Sequence, residues 1–235
     1  MLLCLPGASG TAECFYRVMD GLCKKGYRVV AAQHPPYYTI NEFILGMDGF
    51  LDALEAPSVH ILGASLGGLL AQQYSIARPK RVSSIILCNS FYSTKAFEPS
   101  AGSVVTSMYA VTPYFVLKNM LLTSFNNDAA AISASPEVAD AVDFVMEQMN
   151  SLSQEDLASR LTLNCSPSEC SAMKIGEDKM TIIDALDRTA RPPEARDELY
   201  SKYTSAKQAL CRTGGDFPFL SVADEVCLYI EVRPK

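Results

Sequence analysis

The chain has 235 residues, of which 49% are hydrophobic and 20% charged. This balance is that of a globular protein and excludes disordered, collagen-like and coiled-coil chains. With 20 Lys and Arg against 26 Asp and Glu, the net charge is −6, which argues against nucleic acid as a partner. No apolar run approaches the roughly 18 residues of a membrane span. We therefore predict no transmembrane segment, and the apolar residues 1–5 are too few for a signal peptide.

The cysteines raise the question of a metal site or a disulfide framework. There are eight of them, but no two form a Cys-x-x-Cys pair, and the chain has only two histidines. Zinc sites normally show closely spaced pairs of ligands, so we predict neither a metal nor another cofactor. Several cysteines lie in apolar runs, where a free thiol packs as a small hydrophobic side chain. This pattern predicts reduced thiols and a cytoplasmic protein.

The first ninety residues alternate between strand and helix patterns. Apolar runs predict strands at Leu2–Leu5, 27–31, 59–62 and 83–88. Helical periodicity predicts helices at about 12–24, from Asn41 as the cap to Leu54, and at about 66–77. Short apolar strands separated by amphipathic helices are typical of a mostly parallel sheet with helices on both faces. The predicted fold class is therefore α/β.

The strand pattern stops between about residues 89 and 178. Ser135 followed by Pro136 predicts a helix start, and a shorter helix is predicted from Ser153 toward Leu161. The alternation resumes with a strand at 180–183, a helix near Pro193, a weak strand at 207–211 and a last helix at 222–232. We predict one domain over residues 1–235, with its core at 1–90 and 179–235 and a helical cap insertion at about 91–178.

The motif with the clearest chemical meaning is Gly-x-Ser-x-Gly at residues 63–67. It lies between an apolar strand and a helix, the context of the nucleophile elbow. A sharp turn there would hold Ser65 in a strained conformation, and a side chain at Gly63 or Gly67 would collide with neighbouring chain. Ser65 is the candidate nucleophile, and the N–H of Leu66 is a candidate oxyanion donor. The alternative is a glycine-rich turn that serves only tight packing.

The loop after the first strand offers a second oxyanion donor. Leu5-Pro6-Gly7-Ala8 lies where such folds place the other amide, and we assign it to Ala8. An ordinary strand-to-helix turn explains the same residues equally well.

A triad also needs an acid and a base after the serine. Asp184 and Asp187 follow the strand at 180–183, and Asp187 is the better-placed acid. The segment at 213–218 matches the place where a hydrolase carries its histidine, but residue 216 is Asp, and no histidine follows His60. His60 lies roughly 16 Å below the elbow along the same strand. His34 lies two strands away, about 9–10 Å, and we interpret it as part of a turn.

Asp216 is a poor substitute for histidine. The ordinary pKa of an aspartate, about 3.9, makes it a weaker base than histidine, whose pKa is about 6.5, and Asp187 would repel its charge. Removing a triad member typically costs on the order of 10⁴-fold in kcat. We predict that no efficient Ser-His-Asp relay operates, although weak turnover stays open.

Four segments together resemble one known family. They are Gly-Ala-Ser-Leu-Gly-Gly at 63–68, Ile-Leu-Cys-Asn-Ser-Phe at 86–91, Ala-Ser-Arg-Leu-Thr-Leu-Asn-Cys at 158–165 and Thr-Gly-Gly-Asp-Phe-Pro at 213–218. The chain is similar over nearly its whole length to the maspardin family. The resemblance implies an α/β-hydrolase fold without the usual catalytic histidine. It also implies a cytosolic protein associated with endosomes and the trans-Golgi network, which acts by binding proteins, including hydrophobic receptor tails.

The chain departs from such folds at its first residues. It opens at the strand Leu2–Leu5, without the antiparallel strands that normally precede it. Either the sequence is short or the sheet has lost an edge, and an exposed edge would be prone to association.

Our first functional hypothesis is a catalytically impaired hydrolase fold that serves as an adaptor in intracellular trafficking. Its binding surface would be the cap and the pocket beneath it. Five cap residues could line that pocket or simply pack in the core: Tyr109, Tyr114, Phe115, Leu117 and Met120. The rival hypothesis is a serine esterase or lipase with Ser65 as nucleophile. A third is a pocket that holds a small apolar ligand without turning it over.

Overall fold

A computed structural model describes residues 1–98, 103–126, 135–187 and 189–231. Six strands form one sheet in the order β2-β1-β3-β4-β5-β6, and every pairing between these strands is parallel. The strands are β1 (Leu2–Leu5), β2 (Val29–Ala31), β3 (Val59–Ala64), β4 (Val82–Cys88), β5 (Met180–Ala185) and β6 (Lys207–Cys211).

The central strands are buried along nearly their whole length. All residues of β1 and β5 are buried, as are most of those in β3 and β4. Because successive side chains of a strand point to opposite faces, helices must cover both faces of the sheet. This arrangement explains the continuous apolar runs in the sequence and confirms the α/β class.

The helices follow the strands in the predicted alternation. They are α1 (Tyr16–Cys23), α2 (Ile40–Ala53), α3 (Leu66–Ala77), α4 (Ser103–Met108), α5 (Tyr114–Asn126), α6 (Pro136–Gln148), α7 (Gln154–Cys165), α8 (Pro193–Lys202), α9 (Pro218–Ser221) and α10 (Ala223–Glu231). Helix α1 packs against α10, and α2 packs against α3. Within the described ranges, no helix is both long and apolar enough to cross a membrane.

One predicted cap was wrong. Helix α2 begins after Thr39, and Asn41 lies inside its first turn. The Thr39 hydroxyl accepts the Glu42 N–H at 3.2 Å, and the Glu42 carboxylate accepts the Thr39 N–H at 3.0 Å. This reciprocal pair satisfies two amides at once, which a side chain at Asn41 could not do. The predicted cap at Ser135 is confirmed, and the helix predicted from Ser153 begins there, with Ser153 as its cap.

Helices α4 to α7 follow β4 and precede β5, where we predicted the cap insertion. Residues 99–102 and 127–134 of that insertion lie outside the described residues, as does Val232 of the predicted last helix. Arg160 of α7 connects this region to the core, because its buried guanidinium donates to the carbonyl oxygens of Gly10 and, at 3.4 Å, of Ala8. All eight cysteines are described and none forms a disulfide.

Candidate active site

Ser65 occupies a sharp turn between β3 and α3. Its backbone has φ +48° and ψ −118°, a conformation that residues with a side chain rarely adopt and that costs on the order of 1–3 kcal/mol. Two hydrogen bonds hold it there: the Ser65 N–H donates to the Cys88 carbonyl at 3.0 Å, and the Ser90 hydroxyl donates to the Ser65 carbonyl at 2.8 Å. The end of β4 thus fixes the backbone of the turn.

The two glycines that flank Ser65 lie in close contact with backbone. A Cβ at Gly63 would lie 2.5 Å from the Gly67 carbonyl oxygen, and one at Gly67 would lie 2.3 Å from the Leu5 carbonyl oxygen. These separations are shorter than any real contact of a Cβ atom. Only glycine therefore fits at either position without displacing β1 or α3.

We expect Gly67→Ala to lower the free energy of unfolding by about 3 kcal/mol, the upper end for overpacked sites. The reason is that the new methyl group would meet the backbone oxygen of Leu5, which cannot rotate away. Urea unfolding followed by circular dichroism measures the change. Gly49→Ala is the matched control, because nothing lies within 4 Å of its Cβ position in α2. It should stabilise the protein by about 0.5–1 kcal/mol, and equal effects of the two variants would contradict this account.

Ser65 lines a cavity of about 350 Å³. The apolar residues of its wall come from the segment between β4 and β5 and from the C-terminal segment, and include Phe97, Tyr109, Met120, Leu121, Leu161, Phe217 and Phe219. Of the five residues that we expected either to line the pocket or to pack in the core, Tyr109 and Met120 line the cavity. Leu117 and Tyr114 follow the core-packing alternative, since Leu117 is fully buried and Tyr114 packs against the core with its hydroxyl donating to the Met149 carbonyl. Phe115 follows neither, because it is exposed.

The loop after β1 borders the Ser65 side chain. Ala8 lines the cavity, and a Cβ at the adjacent Gly7 would lie 3.6 Å from Ser65 Oγ. The amides of Ala8 and Leu66 donate no hydrogen bond to any described residue. Two free N–H donors flanking the serine are what an oxyanion site requires, so the assignment of Ala8 and Leu66 to that role stays our proposal.

Asp187 and Asp216 occupy neighbouring but different positions. The Asp187 carboxylate accepts the N–H groups of Gly214 and Gly215 at 3.0 Å each. It therefore stabilises the turn that carries residue 216. Asp216 lines the cavity together with Ser65, and its Oδ1 accepts the Ala190 N–H at 2.6 Å.

The protonation of Asp216 differs from our expectation. Burial of the carboxyl group raises the pKa of Asp216 to about 6, and the negative charge of Asp187 acts in the same direction. The hydrogen bond from the Ala190 N–H acts in the opposite direction and lowers the pKa. The prediction of an ordinary aspartate pKa was therefore wrong for this residue. Asp216 is closer in basicity to histidine than its residue type indicates.

Two residues that organise this region, Asn89 and Arg191, were missed from the sequence, and a third, Asp184, was misplaced. Asn89, with φ +44°, follows β4 directly. Its amide donates to the Gly215 carbonyl at 2.8 Å and accepts the Ala185 N–H at 3.1 Å. Asp184, which we placed after the strand, lies within β5 and forms a buried ion pair with Arg191 at 2.9 Å. Asn89 could have been identified from the sequence, because it is a polar residue directly after a buried strand.

Neither histidine lies beside the serine. His34 does not line the cavity; its Nδ1–H donates to the Pro35 carbonyl at 2.8 Å, and its ring stacks on Tyr37. Burial lowers the pKa of His34. His60 is at the far end of β3, with its Nδ1 2.6 Å from the Ser84 hydroxyl. Strand β2 is two strands from β3 in the sheet, as predicted.

The surroundings of the serine lack a hydrogen-bonded base. Ser65 Oγ makes no hydrogen bond with any described residue, so nothing in that part of the chain is positioned to take its proton directly. The site therefore contains a serine in a strained turn, two amides without an acceptor among the described residues and a buried carboxyl group.

Comparisons with known proteins agree with this geometry. The family model of the α/β hydrolase fold matches residues 1–174. Maspardin from Danio rerio is 41% identical over 234 residues, covering 99% of this chain and 73% of that protein, and maspardin from Homo sapiens is also 41% identical, covering 99% and 74%.

A solved carboxylesterase structure from Nitrososphaera gargenis superposes with a TM-score of 0.71 at 16% identity, covering 98% of this chain and 89% of that one. At that identity, the likeness shows the fold alone. Taken with the elbow at Ser65, the matches over nearly the full length show that the chain belongs to the maspardin family and has the α/β-hydrolase fold.

Proposed function

We propose that this protein is a catalytically impaired member of its fold that works as a protein-interaction adaptor or regulator in intracellular trafficking or receptor signalling. The observation that supports the proposal is that Ser65 Oγ makes no hydrogen bond with any described residue, while the same cavity is lined by Asp216, from the segment where we predicted a triad histidine would lie. Such a site is better suited to binding a ligand than to catalysing its conversion. We place the protein in the cytoplasm, peripherally on endosomal or trans-Golgi membranes.

The cap offers a surface for a protein partner. Val111 is 80% exposed, Phe115 71% and Met108 56%, and all three lie close together in the chain at α4 and α5. Exposed apolar clusters commonly mark interaction sites. The partner that fits this surface is a protein with an apolar segment, such as the cytoplasmic tail of a membrane receptor.

We expect the double variant Val111→Asp, Phe115→Asp to lose its membrane-associated partners in pull-downs from cells, because each charge would enter the apolar contact. Ser65→Ala should recover the same partners as the unmodified protein. Leu45→Asp is the matched control, since Leu45 is also exposed (66%) but lies on α2. Loss of the partners with Ser65→Ala would instead assign binding to the cavity.

A second candidate function is ester hydrolysis by Ser65, with Asp187 as the acid and the amides of Ala8 and Leu66 as oxyanion donors. The specific observation in its favour is the raised pKa of Asp216, about 6, because a base works best when its pKa is near the working pH. A fluorophosphonate probe and short acyl esters test it. Under the adaptor proposal, labelling and turnover are weak; robust turnover abolished by Ser65→Ala would overturn that proposal.

A further inference from the structure

One carboxylate oxygen in the cavity lacks a partner among the described residues. Oδ1 of Asp216 accepts the Ala190 N–H, but Oδ2 accepts no hydrogen bond from any of them. Arg191 also lines the cavity. One of its guanidinium nitrogens donates to the Ser90 carbonyl at 2.7 Å and another is paired with Asp184 at 2.9 Å, while its buried Nε makes no hydrogen bond with any described residue. The acceptor at Asp216 is therefore available to a ligand.

The charges around this oxygen favour a cation. Among the described residues, the charged groups that act on Asp216 are Asp187 and Arg191. Arg191, the cationic member of the two, is already paired with Asp184, and it forms no ion pair with Asp187 or Asp216. Asp187 is satisfied by two backbone amides, which leaves Asp216 as the group that can receive a positive charge.

The rest of the cavity is suited to an apolar group. Aromatic and aliphatic side chains such as Phe97, Tyr109 and Phe219 form the wall beyond Asp216. A cavity of about 350 Å³ lies within the roughly 300–1,000 Å³ typical of small-molecule sites.

We propose that this cavity binds a monoamine, with its ammonium group donating to Oδ2 of Asp216 and its apolar chain or ring packed against the cap. This site goes beyond the adaptor role and does not depend on it. Carboxylates and phosphates are disfavoured at this position, because their charge would be repelled by the carboxylate of Asp216. A neutral alcohol fits the apolar wall but cannot form the charge-assisted hydrogen bond that an ammonium group forms with Asp216.

The first test compares n-octylamine, octan-1-ol and octanoate by calorimetry at pH 7.5. We expect octylamine to bind at least about tenfold more tightly than octanol, and octanoate more weakly than either. Asp216→Asn keeps the size of the side chain and should abolish the preference for the amine. Asp140→Asn removes one negative charge from α6 and should leave that preference unchanged.

The second test needs no variant. Because the pKa of Asp216 is raised to about 6, its carboxyl group becomes neutral as the pH falls from 7.5 to 5. Octylamine stays protonated over this range, so only the loss of charge on Asp216 can weaken its binding, and its affinity should fall. Octanol carries no charge, so its affinity should stay the same. Equal binding of amine and alcohol, tighter binding of octanoate, or an amine preference retained by Asp216→Asn would each overturn the proposal. None of these results bears on partner binding at the cap.

Discussion

Asp216→His is expected to raise the reactivity of Ser65 toward a fluorophosphonate probe by about 100-fold or more, the usual contribution of a positioned general base. The loop at residue 216 already faces the cavity that contains Ser65. An imidazole reaches further than a carboxylate, so it can approach the hydroxyl group. Asp187, held on the neighbouring turn, is available to orient the ring.

Two controls separate base catalysis from a change in the cavity. Asp216→Asn keeps the shape of the side chain but offers no base, so its labelling rate should stay at the level of the unmodified protein or below it. The double variant Ser65→Ala, Asp216→His should not react at all. If Asp216→His gives no gain, then Asp187 or the amides of Ala8 and Leu66 are out of position, and the site lacks more than its histidine.

Arg191→Met is expected to lower the free energy of unfolding by about 3–5 kcal/mol, which is typical when one partner of a buried ion pair is removed. Asp184 would remain inside β5 as a charge without a counterion, and the Ser90 carbonyl would lose its donor. Urea denaturation at neutral pH measures the loss.

The double variant Asp184→Leu, Arg191→Met should recover most of that stability, because no isolated charge stays buried. Lys24→Met is the surface control. It breaks an exposed ion pair with Asp20 in α1 and should leave stability almost unchanged. If Arg191→Met resembled Lys24→Met, the pair would contribute nothing to the fold, and the loop at Arg191 would be held by other contacts.

Much of the fold was predictable because it depends on local patterns. The apolar runs located every strand of the described sheet, and β6 and α3 have the predicted bounds. The glycines around Ser65 predicted the strained turn, since only glycine tolerates such close backbone contact. Thr39 shows the limit of this reasoning, because two nearby polar residues compete for a cap and the reciprocal bond with Glu42 decides between them.

The candidate site was only partly predictable because distant segments form it. Asn89 joins β4 to a turn more than a hundred residues later, and no spacing rule indicates that contact. The pKa of Asp216 depends on its burial in the folded chain and on Asp187, so residue type alone does not give its value. Arg191 was missed because its partner, Asp184, looked like a loop residue.

The position of Arg160 has a mechanical consequence. Its side chain spans from α7 to the carbonyl groups of Ala8 and Gly10. A displacement of α7 would therefore also move the loop after β1, which borders Ser65. A shift of α7 would therefore change the shape of the cavity, since Ala8 and Gly10 line it together with Leu161 of α7.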